Sequence, residues 1–399
     1  MLLDADSARA FMPYPPVAVP HAEGGPLSGL TFAAKDLFDV AGYPTSSGSP
    51  HMLAMSGIKT RTAPTVQRLL DAGARLVGKT ITDELAFSMS GKNAHFGTPL
   101  NGAAPDRIPG GSSSGSASAV SNGLCDFALG TDTGGSVRAP ASHCGLFGIR
   151  PTHGRVSLEG CHDLAPSFDT CGFFTRNGDT FIRVGEVLLQ EDAAPLPRKP
   201  RLLLAKDAFA LLDRAVQDAL APALRQIERV LGPAEEKAVV EEGFTALYWA
   251  MRYIQSREAW IVDGPMIERY NPPLGPGVRD RFEFSREVTD RQVADALGIR
   301  SAFRERFSAL FGADGVLVLP TMPDVAPLLS ESDDALNDYR NNALNLLCLS
   351  VLSGLPQVSI PLASRMGAPL GISLMGPAGS DMSLVSLAAG IAGGKAPAD

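Results

Sequence analysis

Two serines and a lysine stand out by their surroundings rather than by their type. Lys35 closes the apolar run TFAA and precedes Asp36. Ser112 follows a Gly-Gly pair just ahead of the small-residue run SASAV, and Ser136 follows Asp-Thr-Gly-Gly directly after DFALG. Taken singly, each has an ordinary reading as a turn lysine or a helix N-cap. Together they hold the parts of acyl transfer. A serine hydroxyl is a weak nucleophile until a neighbour takes its proton. A lysine becomes a base once burial penalises its ammonium. Paired glycines let successive N–H groups converge on one oxygen.

Two other motifs point to different chemistry. GARLVGKT (73–80) matches the phosphate-loop pattern G-x-x-x-x-G-K-T. Its interior is strand material, however, and Gly73 reads as the cap of a preceding helix, so nucleotide binding is not expected. GSSSG (111–115) matches the G-x-S-x-G nucleophile elbow, with Ser113 at its centre and His143, His153 and His162 downstream. An elbow needs a strand before it, and NGAAPDRIPG reads as a loop, so a Ser-His-Asp arrangement is the weaker reading.

The elements that would hold these residues alternate between strand and helix patterns. LTFAAKD reads as a strand entering a turn. Ala63 to Ala72 reads as a helix with Pro64 in its first turn, Val66, Leu69 and Leu70 as its apolar stripe, and Gly73 as its stop. ARLVG (74–78) is a buried strand, and Asp83 to Ser88 opens a further helix. The Gly/Ser/Ala-rich stretch 110–145 could be a flexible linker, but SASAV and CDFALG give it a helix and a buried strand. The first 25 residues are Pro-rich and read as an extended arm. RLLLAKD (201–207) is a strand. Residues 208–231, 244–262 and 277–311 read as amphipathic helices broken at GPAEE, DGP and NPPLGPG. GVLVLP (315–320), a helix near 335–353, LPQVSIPL (355–362), PLGISLMG (369–376) and a helix from Asp381 bring back the alternation of strand and helix. The expected fold is α/β: a central mixed, mostly parallel sheet covered by helices on both faces, residues 1–399 forming one domain, with a helical segment at about 208–311 inserted between its two parts.

Composition narrows the function. The 399 residues are 45% hydrophobic and 20% charged, an ordinary globular mix with a large core in reach. The formal charge of −8 argues against nucleic acid as a partner. Five irregularly spaced cysteines suit reduced thiols and a cytoplasmic setting better than a disulfide framework. The six histidines do not cluster in zinc spacing, and no metal is expected. Asp4 and Asp6 disfavour a signal peptide, and no apolar run reaches the ~18 residues of a membrane span.

GGSSSGSASAV (110–120), GTDTGGSVRAP (130–140), CGLFGIRPTHGRVS (144–157), AAKDLFDV (33–40) and GKTITDELAFSMSGKNAHFGTPLN (78–101) occur in one order, and with them the chain resembles the amidase signature hydrolases. The resemblance spans about residues 28–392. The segments DRIPGGSSSGS, SFDT and GPG make it most similar to the plant-type indole-3-acetamide hydrolase branch. It implies hydrolysis of a small primary amide, an aryl-acetamide being the sharper alternative, to acid and ammonia. It also implies Ser136 as nucleophile, Lys35 as base, and Ser112, after a cis Gly111–Ser112 bond, as relay. Backbone N–H groups of Thr133, Gly134, Gly135 and Ser136 are expected to form the oxyanion hole. Ser113, Asp132 and Arg138 would support the triad or shape its loops. Asp36 is expected to face away from Lys35. Phe87 aligns with an acyl-pocket position, and Trp249, with Tyr248 and Tyr253, is either pocket or core. No cofactor is implied; the partner is the small amide, and a homodimer is compatible. A glutaminase-type subunit of a tRNA-dependent amidotransferase and a non-catalytic binding relative are the alternative readings.

Overall fold

The computed structural model describes residues 6–394. Among them, ten strands form one sheet: β1 Thr31–Lys35, β2 Arg75–Thr80, β3 Phe127–Thr131, β4 Phe147–Arg150, β5 Cys171–Thr175, β6 Arg201–Ala205, β7 Glu235–Lys237, β8 Gly315–Pro320, β9 Gln357–Arg365 and β10 Ala368–Met375. The helices are α1 Pro50–Ser56, α2 Pro64–Asp71, α3 Ser114–Ser121, α4 Arg138–His143, α5 Gly178–Leu188, α6 Lys206–Phe209, α7 Arg214–Leu231, α8 Phe244–Tyr270, α9 Pro276–Glu287, α10 Asp290–Phe311, α11 Asp333–Ser353 and α12 Asp381–Ala392.

The strand order is β2-β1-β3-β5-β4-β9-β10-β8-β6-β7. The sheet is mixed as expected, but it is not mostly parallel. β2-β1-β3 and β8-β6-β7 are parallel blocks, and every pairing from β3 through β5, β4, β9 and β10 to β8 is antiparallel. The cause is local at one point. Arg365 pairs with Ala368 across the two residues Met366 and Gly367, with φ 51° and 75°. A turn that tight returns the chain antiparallel, and no helix fits between the strands.

The apolar stripe of α2 forms as read: Val66, Leu69 and Leu70 are buried, and Gly73 closes the helix with its N–H on the Leu70 carbonyl. The GKT stretch lies in strand β2, where Lys79 is buried against Asp36, so it is not a phosphate loop. The Pro-rich arm is packed rather than free. Ile81 N–H donates to the Ala10 carbonyl, Met12 N–H to the Lys79 carbonyl, and Ala8 and Ala10 are buried.

The segment 208–311 departs from three expectations. It contains edge strand β7. α8 continues unbroken through Asp263-Gly264-Pro265, where Trp260 packs over Gly264 and Asp263 is paired with His162. The helix expected over 277–311 is two helices, divided by a capping box of Thr289 and Gln292. Val216, Leu220 and Ile227 of α7 and Phe303, Phe307 and Phe311 of α10 join the same continuous core as Phe32, Phe173 and Leu374. Between Asp83 and Ser88 only one 3-10 turn forms, Glu84–Ala86, since Leu85 and Ala86 adopt φ of 50° and 55° that no α-helix can continue.

Candidate active site

β1 and β3 lie side by side and parallel, Ala34 beside Leu129, so their carboxyl ends deliver Lys35 and Thr131 together. Lys35 is wholly buried; its Nζ donates to Ser112 Oγ at 2.8 Å and to Thr131 Oγ1 at 2.8 Å. Burial pushes its ammonium down to about 8, and the field of Asp83 is the largest influence in the opposite direction. Asp36 does face away. Its carboxylate takes Lys79 Nζ at 2.6 Å, Tyr14 Oη at 2.7 Å and the hydroxyl and N–H of Ser46.

Ser112 stands in the loop before α3, after a cis Gly111–Ser112 peptide bond. Its carbonyl accepts from Asp83 N–H at 3.1 Å and Thr82 Oγ1 at 3.0 Å. Gly111 is required here, because the carboxylate of buried Asp83 occupies the place of a Cβ. Ser136 lies in the loop between β3 and α4 and is 5% exposed. Ser113 N–H donates to the Ser136 carbonyl at 3.4 Å, which ties the two serine loops together through their backbones. The described hydrogen bonds join Lys35 to Ser112 and do not include one between the Ser112 and Ser136 hydroxyls.

Asp132 organises the Ser136 loop. It accepts Gly135 N–H at 2.9 Å, Val137 N–H at 3.1 Å and Arg138 N–H at 3.2 Å, and it is paired with Arg138 at 2.9 Å and Arg150 at 3.1 Å, all three side chains fully buried. Burial alone would raise its carboxyl, but the two guanidinium groups outweigh burial and hold it well below the usual range. The Gly135 N–H is therefore spent on Asp132, which removes it from the expected oxyanion hole. Among the described residues, the N–H groups of Thr133, Gly134 and Ser136 have no such protein acceptor. Gly135 still needs to be glycine: its φ is +123°, and a Cβ would stand 2.5 Å from Leu347 Cδ1.

Thr131, Arg150 and Asp169 were not singled out by sequence. Asp169, of the SFDT segment, accepts Thr133 Oγ1 at 2.5 Å and fixes that side chain. The signals for Thr131 were its place at the end of DFALG and within GTDTGGSVRAP. Ser113 is locked onto Thr131, its hydroxyl donating to the carbonyl at 3.1 Å and accepting the N–H at 3.2 Å. None of the three histidines bonds to it: His143 meets Tyr339 Oη, His153 the Pro166 carbonyl, and His162 Asp263. With a loop before it and no histidine on it, Ser113 is not an elbow nucleophile.

Phe87 is buried edge-on against Phe282 of α9, 5.2 Å between centroids. Trp249 is 40% exposed and packs among Tyr248, Tyr253 and Phe284, its ring centroid 5.4 Å from that of Tyr253. A cavity of about 350 Å³ lies between the 84–94 loop, α9 and α11. It flanks Gly110, the neighbour of Gly111, since His143 in its wall stands 2.8 Å from the Cβ position of Gly110.

The Amidase family model matches residues 7–213 and 256–385. Over 390 residues the chain is 41% identical to Amidase 1 of Arabidopsis thaliana, covering 90% of this chain and 92% of that protein. It is 37% identical over 405 residues to Amidase 1 of Oryza sativa subsp. japonica, covering 95% and 93%. A crystal structure of an amidase superposes with a TM-score of 0.82 at 30% identity, covering 92% of this chain and 85% of that one. Sheet and matches together define a hydrolase that acts on amides. The chain belongs to the amidase signature family. Among the described residues, no helix is long and apolar enough to cross a membrane.

Proposed function

We propose that the protein hydrolyses a small primary amide to a carboxylic acid and ammonia through an acyl-enzyme on Ser136. The observation that carries this reading is Lys35: buried, lowered to about 8 and 2.8 Å from Ser112 Oγ, it is a base within reach of neutral pH. Ser136 Oγ attacks the amide carbonyl as its proton passes to Ser112, whose own proton passes to neutral Lys35. The oxyanion settles on the N–H groups of Thr133, Gly134 and Ser136. One such donor is typically worth ~3 kcal/mol in the transition state. The C–N bond then breaks, and the Lys35 ammonium returns its proton through Ser112 to the leaving nitrogen. Water enters by the same relay and frees the acid and Ser136.

The presence of Lys35, Ser112 and Ser136 together supports a catalytic over a merely binding relative. Five unpaired cysteines support a cytoplasmic setting. The test is labelling with a fluorophosphonate followed by peptide mapping, alongside a screen of primary amides for ammonia release. Label on Ser136, lost in Ser136→Ala, is expected. Label on Ser113 would overturn the assignment.

A further inference from the structure

Three arginines converge from three helices beside this loop: Arg252 of α8, Arg281 of α9 and Arg340 of α11. Arg340 is 9% exposed and lines the 350 Å³ cavity together with Arg281. Among the described residues no protein group accepts a hydrogen bond from the Arg340 guanidinium, and its buried Nε is without a partner. Arg281 has only the Gly277 carbonyl of its own helix. Arg252 donates to Tyr248 Oη at 3.4 Å and lies over the rings of Tyr248 and Phe284 at 5.8 and 5.2 Å. Among the described residues no carboxylate stands within ion-pair distance of any of the three. The ionisable groups acting on Arg340 are Arg281, Arg252 and Tyr248; burial first, and then the two like charges, push it well below the ordinary arginine value.

A buried cation without a counter-charge in contact costs several kcal/mol. Tyr248 is the one ionisable group that favours the charged Arg340, while buried Asp83 and exposed Asp280 act on Arg281 through their field and pair with none of the three. The carboxylates in the same cavity wall are placed elsewhere. Glu84 is held by His95 at 3.0 Å and Gly275 N–H at 2.8 Å, while Asp280, Asp333 and Asp334 are exposed. The buried guanidinium fork therefore faces open space with its donors unspent, and that geometry matches a carboxylate.

The cluster is also placed to meet an acyl group. Leu344 and Gln255 flank Gly134, 3.7 and 3.5 Å from its Cβ position. Arg340 lies one turn before Leu344 on α11, and Arg252 lies one turn before Gln255 on α8, about 6 Å along each axis or less. We propose that the acyl half of the substrate carries a carboxylate received by Arg340, with Arg281 and Arg252 beside it: the substrate is the mono-amide of a short dicarboxylic acid. This rests on the hydrolytic reading above and names its substrate class. Hydrolysis breaks the C–N bond, forms a C–O bond from water, and yields the dicarboxylate and ammonia. A neutral aryl-acetamide leaves Arg340 uncompensated. Glutamine brings an ammonium among three cations and fits less well.

The experiment compares kcat/KM for succinamic and glutaramic acids with that for butyramide and valeramide, in wild type, Arg340→Gln and Arg340→Lys. It is paired with calorimetric binding of glutarate to the same proteins. A charged hydrogen-bonded contact predicts a wild-type preference of about 10- to 100-fold for the anionic amides. That preference collapses in Arg340→Gln and is partly kept in Arg340→Lys. Equal use of both amide types by the wild type, or a preference that survives Arg340→Gln, overturns the proposal. The glutarate arm needs no turnover. Arg340-dependent binding without any amidase activity sinks the hydrolytic reading and keeps the anion site. Turnover without charge preference and without glutarate binding does the reverse.

Discussion

Asp36 gives its carboxylate to Lys79, 2.6 Å from Nζ, and not to Lys35, its neighbour in the chain. Two buried lysines thus have opposite fates. Lys79 is paired and further held by the Pro44 carbonyl and Thr45 Oγ1, whereas Lys35 meets only hydroxyls. Lys79→Met leaves Asp36 buried and unpaired, and a loss of about 3–5 kcal/mol is expected. The double variant Asp36→Asn/Lys79→Met recovers much of it. Urea unfolding of wild type, Lys79→Met, Asp36→Asn and the double variant measures the coupling, and strictly additive losses would show the two side chains to be energetically independent.

Lys35 sits at about 8 in the folded chain against an ordinary 10.5. As a base it acts when neutral, so kcat/KM rises with pH to a plateau above about 8, and this limb disappears from the residual activity of Lys35→Ala. His143 is pushed down to about 3 by burial, so His143→Asn keeps the limb, as do substitutions of His153 and His162. A limb lost in a histidine variant and kept in Lys35→Ala would reassign the base.

The same shift is a statement about stability. Between pH 8 and 10.5 the unfolded chain binds a proton at Lys35 that the folded chain does not, so this contribution to stability rises with pH across that window. Below pH 8 the deficit is complete, about 3 kcal/mol. Lys35→Met is expected to gain more stability relative to wild type at about pH 7 than at about pH 10.5. Urea midpoints at the two pH values check this, and an equal gain at both contradicts a buried, lowered lysine.

Asp132→Asn removes the anion between Arg138 and Arg150 and weakens the hold on Gly135, Val137 and Arg138 N–H. A destabilisation of about 3–5 kcal/mol is expected. Turnover should fall more than KM rises, because on the proposed mechanism the loop presents groups that act in the transition state. A variant with wild-type kcat would show that Asp132 does not set the loop.

Ser113→Ala loses the two hydrogen bonds to the Thr131 backbone, at a cost of about 1–3 kcal/mol in a buried setting. Fluorophosphonate still labels Ser136 in this variant. Loss of the label with the fold intact, judged by circular dichroism, would return Ser113 to candidacy as nucleophile.

Much of this architecture is legible in the sequence where short range decides. α2 and its glycine stop, β1, β2 and β3 follow from apolar periodicity and caps, and Lys35 at a buried strand end follows from TFAA. What escapes is pairing across distance. The antiparallel middle of the sheet depends on which apolar runs become neighbours, and their patterns are alike. Arg150 and Asp169 matter because Asp132 and Thr133 meet them in space. Arg340 reads in sequence as one charge on a helix, and only the packing of α8, α9 and α11 reveals it as buried. Trp249 errs the other way: an aromatic at helical spacing suggests a pocket or a core, yet it lies half outside both.

Arg138, two residues after Ser136, spends Nη1 on the Leu347 carbonyl at 3.0 Å and on Gln357 Oε1 at 2.5 Å, groups 209 and 219 positions further along the chain. Leu347 also fills the space beside Gly135. A chain emerging from the ribosome thus carries Lys35, Ser112 and Ser136 long before it holds the helix and strand that shape their loop. Such distant closure is entropically costly and slow, so the loop takes its working form late in folding. On the mechanism proposed above, a polypeptide that stops short of Leu347 and Gln357 holds all three groups but lacks the segments that align them.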